Sequence, residues 1–163
     1  MTIAAHELPV TAPVAPAPLR ASRAERWVCA LLAAIALAVL GVALWLVPSP
    51  TGVGTHRGLG IPPCGWMQAY DVPCPTCGMT TAFSLAAHGS LLRSAYVQPM
   101  GFVLAVGTAA AFLVCLHTAC TGSRLAHVLG ARLTPRVLLG LGAFALLAWG
   151  WKFALVRGML PAA

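Results

Sequence analysis

Apolar positions in this chain run unbroken, without alternating or recurring every third or fourth residue. From Trp27 to Val47 there are 21 residues without a charge, and from Ser94 to Ser123 there are 30. A third run, from about Val137 to Val156, is interrupted only by Lys152. About 20 apolar residues cross the hydrocarbon of a bilayer as a helix. The pattern therefore predicts transmembrane helices over about 27–47, 98–120 and 137–156. Pro99 and Pro135 suit the first turns of the second and third. Trp27 and Trp45 fall near the ends of the first span, where indoles anchor at the interface.

The segments between differ sharply. Residues 1–26 form an Ala/Pro-rich tail whose first nineteen residues contain four prolines and no apolar period, a composition that predicts disorder. Arginines precede the first apolar run, but the run is too long for a signal peptide and no A-x-A site follows, so an uncleaved anchor is expected. Residues 48–77 carry Pro48, Pro50, Pro62, Pro63, Pro73 and Pro75 among several glycines and read as a loop with little regular structure. Met79 to Leu92 is moderately apolar, stopped by Gly89 and Arg93, and too short to span. An interfacial or re-entrant helix over about 78–92 is expected. The fold class is thus an all-α integral membrane protein, with a helical membrane domain over 27–158.

Composition supports lipid as the solvent. Apolar residues make up 60% of the 163, charged residues only 8%, where soluble chains carry about 25% charged. The net charge of +7 does not mark a nucleic-acid surface, because no basic cluster is interleaved with aromatics. The arginines instead flank the apolar runs. With three spans, Arg20, Arg23 and Arg26 share a side with Arg124, Arg132 and Arg136, while Arg57, Arg93, Lys152 and Arg157 lie on the other. The positive-inside rule makes the first side cytoplasmic, consistent with a bacterial inner membrane, and the loop 48–77 extracytoplasmic. Lys152, near a helix end, is expected to snorkel to the headgroups beside Trp149 and Trp151.

Candidate chemistry concentrates in DVPCPTCGMTTAF, residues 71–83. Cys74-Pro75-Thr76-Cys77 has the spacing of a thiol redox pair. Pro75 is suited to open a helix that Cys74 would cap, lowering its pKa. The βαβ context of thioredoxin-like motifs is missing, however. Cys64 adds a third thiol on the same side. In an oxidising compartment a disulfide from Cys64 to Cys74 or Cys77 would staple the loop. Three thiolates also lack only one ligand of a zinc site, which His56 could supply, whereas His88 lies about 16 Å along the helix from Cys77.

Other features read more plainly. Cys77, Thr80, Thr81, Ser84 and His88 fall on one side of the helix after the motif, expected to face headgroup water or to bond back to the preceding turn. Met79, Ala82, Phe83 and Ala86 fall on the other. Gly101 and Gly107, or Gly140 and Gly142, suit close helix packing. Outside the tail the single acid is Asp71, so no carboxylate pair serves acid/base chemistry, and no hydrolase, metalloprotease or phosphate-loop motif occurs.

At these residues the sequence resembles a family of small bacterial membrane proteins, domain of unknown function 2752. The family signature is an upstream cysteine, then Cys-Pro-x-Cys-Gly-x-Thr-Arg, a short helix, and Asn-Pro opening the next span. Cys64, Cys74-Pro75-Thr76-Cys77-Gly78-Met79-Thr80 and Gln98-Pro99 look like the matching positions, and the likeness covers roughly residues 57–120. Thr81 stands where the signature has arginine, and Gln98 where it has asparagine. A charge-dependent role of that arginine would be lost here. The resemblance implies a membrane protein with a special motif and names no activity.

The sequence as a whole leads to a non-enzymatic membrane module. Its stapled extracytoplasmic loop would contact lipid, a membrane protein partner or a second copy, with no cofactor. The alternative is a thiol-disulfide or metal-handling protein using Cys74 and Cys77, or zinc on Cys64, Cys74 and Cys77.

Overall fold

The computed structural model describes residues 20–160, so the proposed disorder of residues 1–19 lies outside the described residues. The chain is helical, with α1 Arg23–Trp45, α2 Gly65–Tyr70, α3 Met79–Ala87, α4 Leu91–Val97, α5 Pro99–Thr121, α6 Leu125–Gly130 and α7 Pro135–Val156, and no strand among the described residues. Three of these helices, α1, α5 and α7, are long and apolar enough to cross a membrane.

The first span starts inside the segment expected to be a tail. Ser22 accepts from the backbone N–H of Glu25 at 3.2 Å while the Glu25 carboxylate accepts from the Ser22 N–H at 2.6 Å. This reciprocal capping box satisfies two donors that a helix start leaves open, so Arg23 to Arg26 are helical. Arg26 then reaches the far end of α5, donating to the carbonyls of Ala119 at 3.0 Å and Cys120 at 3.3 Å. A cation on the last carbonyls of a helix offsets their partial negative charge. The contact also fixes α1 and α5 as an antiparallel pair and puts Arg26 beside the hairpin that follows α5.

At the opposite end, the segment 48–77 is more ordered than its prolines suggest. It holds a single 3₁₀ turn, Thr55–Leu59, and the short α2. The expected interfacial helix is two helices. Gly89 takes φ +80°, which ends α3 and lets α4 begin at Leu91. Gln98, in the extended conformation favoured before proline, then turns the chain into α5 with Pro99 in its first turn.

α3 packs into the angle between α1 and α5. A Cβ on Gly101 of α5 would meet the Ala82 methyl at 2.8 Å, so this glycine permits the close crossing of α3 and α5. Gly107, Gly140 and Gly142 have nothing within 4 Å of such a Cβ, so they make no close crossing among the described residues. α7 buries only Ala148 and Lys152. Its remaining surface is apolar and open, with Leu139 75% exposed, a surface that hydrocarbon solvates and water does not.

Candidate functional site

The polar side of α3 does not face headgroup water. Thr81 and Ser84 are fully buried, and their hydroxyls cross to other elements instead of bonding back. Ser84 donates to the carbonyl of Leu46 at 2.5 Å, closing the end of α1, and Thr81 meets the Thr55 hydroxyl at 2.8 Å. Ser94 of α4 donates to the Ala82 carbonyl at 2.6 Å. Each bond serves a group that burial would otherwise leave unpaired at a cost of about 1–3 kcal/mol. The expected back-bonding yields because these neighbours supply acceptors that the linear sequence places far away. His88, by contrast, is exposed, with its ring nitrogen on the Ser84 carbonyl at 2.8 Å.

The cysteine motif sits on this platform. Pro75 opens a turn closed by the Cys77 N–H on the Cys74 carbonyl at 2.9 Å, and Met79 N–H follows on the Thr76 carbonyl at 3.1 Å. Gly78, at φ +84°, turns the chain into α3 and is its N-cap. Cys74 therefore does not cap that helix, and Pro75 serves a turn where a first helical position was expected. The turn is held from two sides: Gln98, fully buried, donates its amide to the Pro75 carbonyl at 3.2 Å, and Trp149 donates its indole N–H to the Pro73 carbonyl at 2.9 Å.

Cys64 arrives from a separate element, as the residue before α2. The Sγ atoms of Cys64, Cys74 and Cys77 all lie within 4.8 Å of one another. All three are free thiols. Cys77 is buried, the other two half-buried, and Cys74 Sγ lies 3.3 Å from the Thr76 hydroxyl. His56, expected within reach, contacts the Pro62 carbonyl at 3.3 Å and is not one of the clustered donors. Thr80 and His56 join the thiols in lining an apolar cleft of about 780 Å³ against Val42 and Ala43 of α1.

The three thiols are electrostatically unequal. The backbone N–H of Met67 and, to a smaller extent, the neighbouring Cys74 thiol and the Trp66 N–H hold Cys64 below the usual thiol range, without closing a side-chain cap bond. Burial, and then the charge of Cys74, push Cys77 up to about 11. The helix-start advantage foreseen for Cys74 thus falls to Cys64.

Lys152 completes the arrangement. It is only 2% exposed, and its ammonium donates to the carbonyls of Gly52 at 2.8 Å and Val97 at 3.3 Å. A Cβ at Gly78 would sit 2.8 Å from both the Lys152 Nζ and the Gly52 oxygen. The expected snorkelling is corrected: two carbonyls remote in sequence draw the amine inward. The signal was its place as the sole charge in the third apolar run, since an ionisable residue there is a functional candidate by default.

Residues 64–112 match the sequence profile of the family described as "Protein of unknown function (DUF2752)". The likeness spans 49 of the chain's 163 residues. The matched segment contains the three thiols, α2 to α4 and the first half of α5, so it brings all three sulfurs but neither Lys152 nor Trp149, which α7 adds. No curated protein and no solved structure matches the chain.

Proposed function

We propose that this chain is a multi-pass protein of the bacterial inner membrane that holds one thiophilic metal ion, zinc or copper(I), between Cys64, Cys74 and Cys77 on its extracytoplasmic side. The convergence of three sulfurs within 4.8 Å carries the reading. A metal with bonds of about 2.3 Å to sulfur sets its ligands about 3.8 Å apart, a small contraction from this spacing. A disulfide staple would use two of the thiols and leave the third without a role. Thiolates are the ligands that select soft ions. On binding, each thiol gives its proton to solvent as a metal–sulfur bond forms. The charge repulsion that raises Cys77 is then replaced by attraction to the cation.

The basic residues support the orientation. Arg26 lies against the end of α5, so Arg20, Arg23 and Arg26 share an end with Arg124, Arg132 and Arg136, the sign of a cytoplasmic face. Lipid is the partner of the open apolar surfaces of α1, α5 and α7.

Elemental analysis of protein purified in detergent without chelator tests the reading, alongside mass spectrometry of differentially alkylated cysteines. One zinc or copper per chain, lost in Cys64→Ser, Cys74→Ser and Cys77→Ser, is expected, and the metal found separates the two ions. A metal-free protein with a Cys64 disulfide would overturn the reading in favour of a staple.

A further inference from the structure

A buried ammonium needs an anion, and the described residues offer Lys152 no carboxylate. Glu25 is engaged with Ser22 at the other end of the molecule, and Asp71 is exposed. Two of the three N–H donors reach neutral carbonyls. An unpaired buried charge costs several kcal/mol. Yet the chain positions it with care: Gly78 takes φ +84°, and any side chain there would collide with the ammonium. The cation is thus seated on the backbone immediately after Cys77.

We propose that Lys152 is a positioning residue of the metal site, the counter-cation of the metal–thiolate cluster, and that it matches the site to a divalent ion such as zinc. The inference rests on the tris-thiolate reading above. Three thiolates around a divalent ion leave one negative charge over, which a single ammonium cancels; around a monovalent ion two are left over and one persists. No described carboxylate faces the ammonium, so a bound ion whose thiolates leave one negative charge over compensates a cation that folding has already buried. Charge compensation by a group that touches no metal tunes affinity through its ligands.

Competition titrations of the full-length protein in detergent with cobalt(II) and zinc test this, read through the thiolate-to-cobalt charge-transfer band. Lys152→Met is expected to lower affinity by about 10–100-fold while leaving the band shape, which reports the ligand set, unchanged. Lys152→Arg should recover part of the loss. Trp151→Phe, which removes the indole bond to the Tyr96 carbonyl and loosens the same helix without touching charge, should bind as wild type. Should Trp151→Phe lose as much as Lys152→Met, or Lys152→Met bind as tightly as wild type, the counter-cation role is overturned while the tris-thiolate reading stands. A wild type that binds copper(I) but neither cobalt(II) nor zinc overturns the match to a divalent ion alone, and one that binds none of the three overturns both readings.

Discussion

The Thr55 and Thr81 hydroxyls meet at 2.8 Å with both residues closed to solvent. Thr55 also accepts from the Ser49 N–H at 2.9 Å, so this pair ties the loop after α1 to the platform under the thiols. Thr81 stands where the resembled signature carries arginine, and here the space holds a neutral hydrogen bond. Thr81→Val keeps the shape and leaves the Thr55 hydroxyl with its bond from the Ser49 N–H alone. We expect a loss of about 1–2 kcal/mol in stability, read as a lowered Tm in detergent. The Thr55→Val/Thr81→Val double variant should lose less than the sum of the two singles, the mark of a direct interaction.

Gly78 is held in place by two constraints at once. Its φ of +84° strains any L side chain, and a Cβ would press on the Gly52 oxygen and the Lys152 amine, both at 2.8 Å. Gly78→Ala should therefore destabilise by more than about 1 kcal/mol and displace Lys152 toward solvent. The measurement is thermal unfolding, paired with limited proteolysis of the loop after α1. A variant as stable and resistant as wild type would mean that Lys152 does not occupy this seat.

The three spans were legible because a run of some twenty apolar residues admits few other solutions in lipid. What escaped was held by contacts remote in sequence. Thr81 and Ser84 looked like a water-facing stripe because their acceptors, Thr55 and Leu46, belong to other elements. The 3₁₀ turn forms in a Pro-rich segment where the fold around it buries Thr55. Lys152 was the sole charge in its run, yet its direction depends on the Gly52 and Val97 carbonyls. The three-thiol cluster was visible as three residues on one side; their convergence was not, because no periodicity relates Cys64 to Cys74 and Cys77.

The unequal thiols make an ordered prediction for the reduced, metal-free protein. Met67 and Trp66 N–H groups favour the Cys64 thiolate, while burial keeps Cys77 protonated to about 11. Because the thiolate is the nucleophile, iodoacetamide near pH 8 should modify Cys64 well ahead of Cys77, as read by peptide mass spectrometry. Stability follows the same sign. An unfolded chain ionises Cys77 near the ordinary thiol value while the folded one keeps its proton, so this contribution is fully present at neutral pH and is lost as pH rises toward about 11. Unfolding midpoints should fall across that window, and Cys77→Ala should flatten the fall.

The orientation can be read from the chain's own cysteines. Cys120 is exposed at the end of α5, beside the Arg26 contact, whereas Cys64 and Cys74 lie at the other end. Between the two ends stands a 23-residue helix, roughly 35 Å at its rise per residue and long enough to separate two compartments. After reduction and chelation in intact cells, a membrane-impermeant maleimide should label Cys64 and Cys74 and spare Cys120 until the cells are opened. The reverse pattern would place the six arginines outside and the thiols in a reducing cytoplasm. Because a disulfide would not persist there, that result would remove the staple as a rival to metal while discarding the topology proposed from charge.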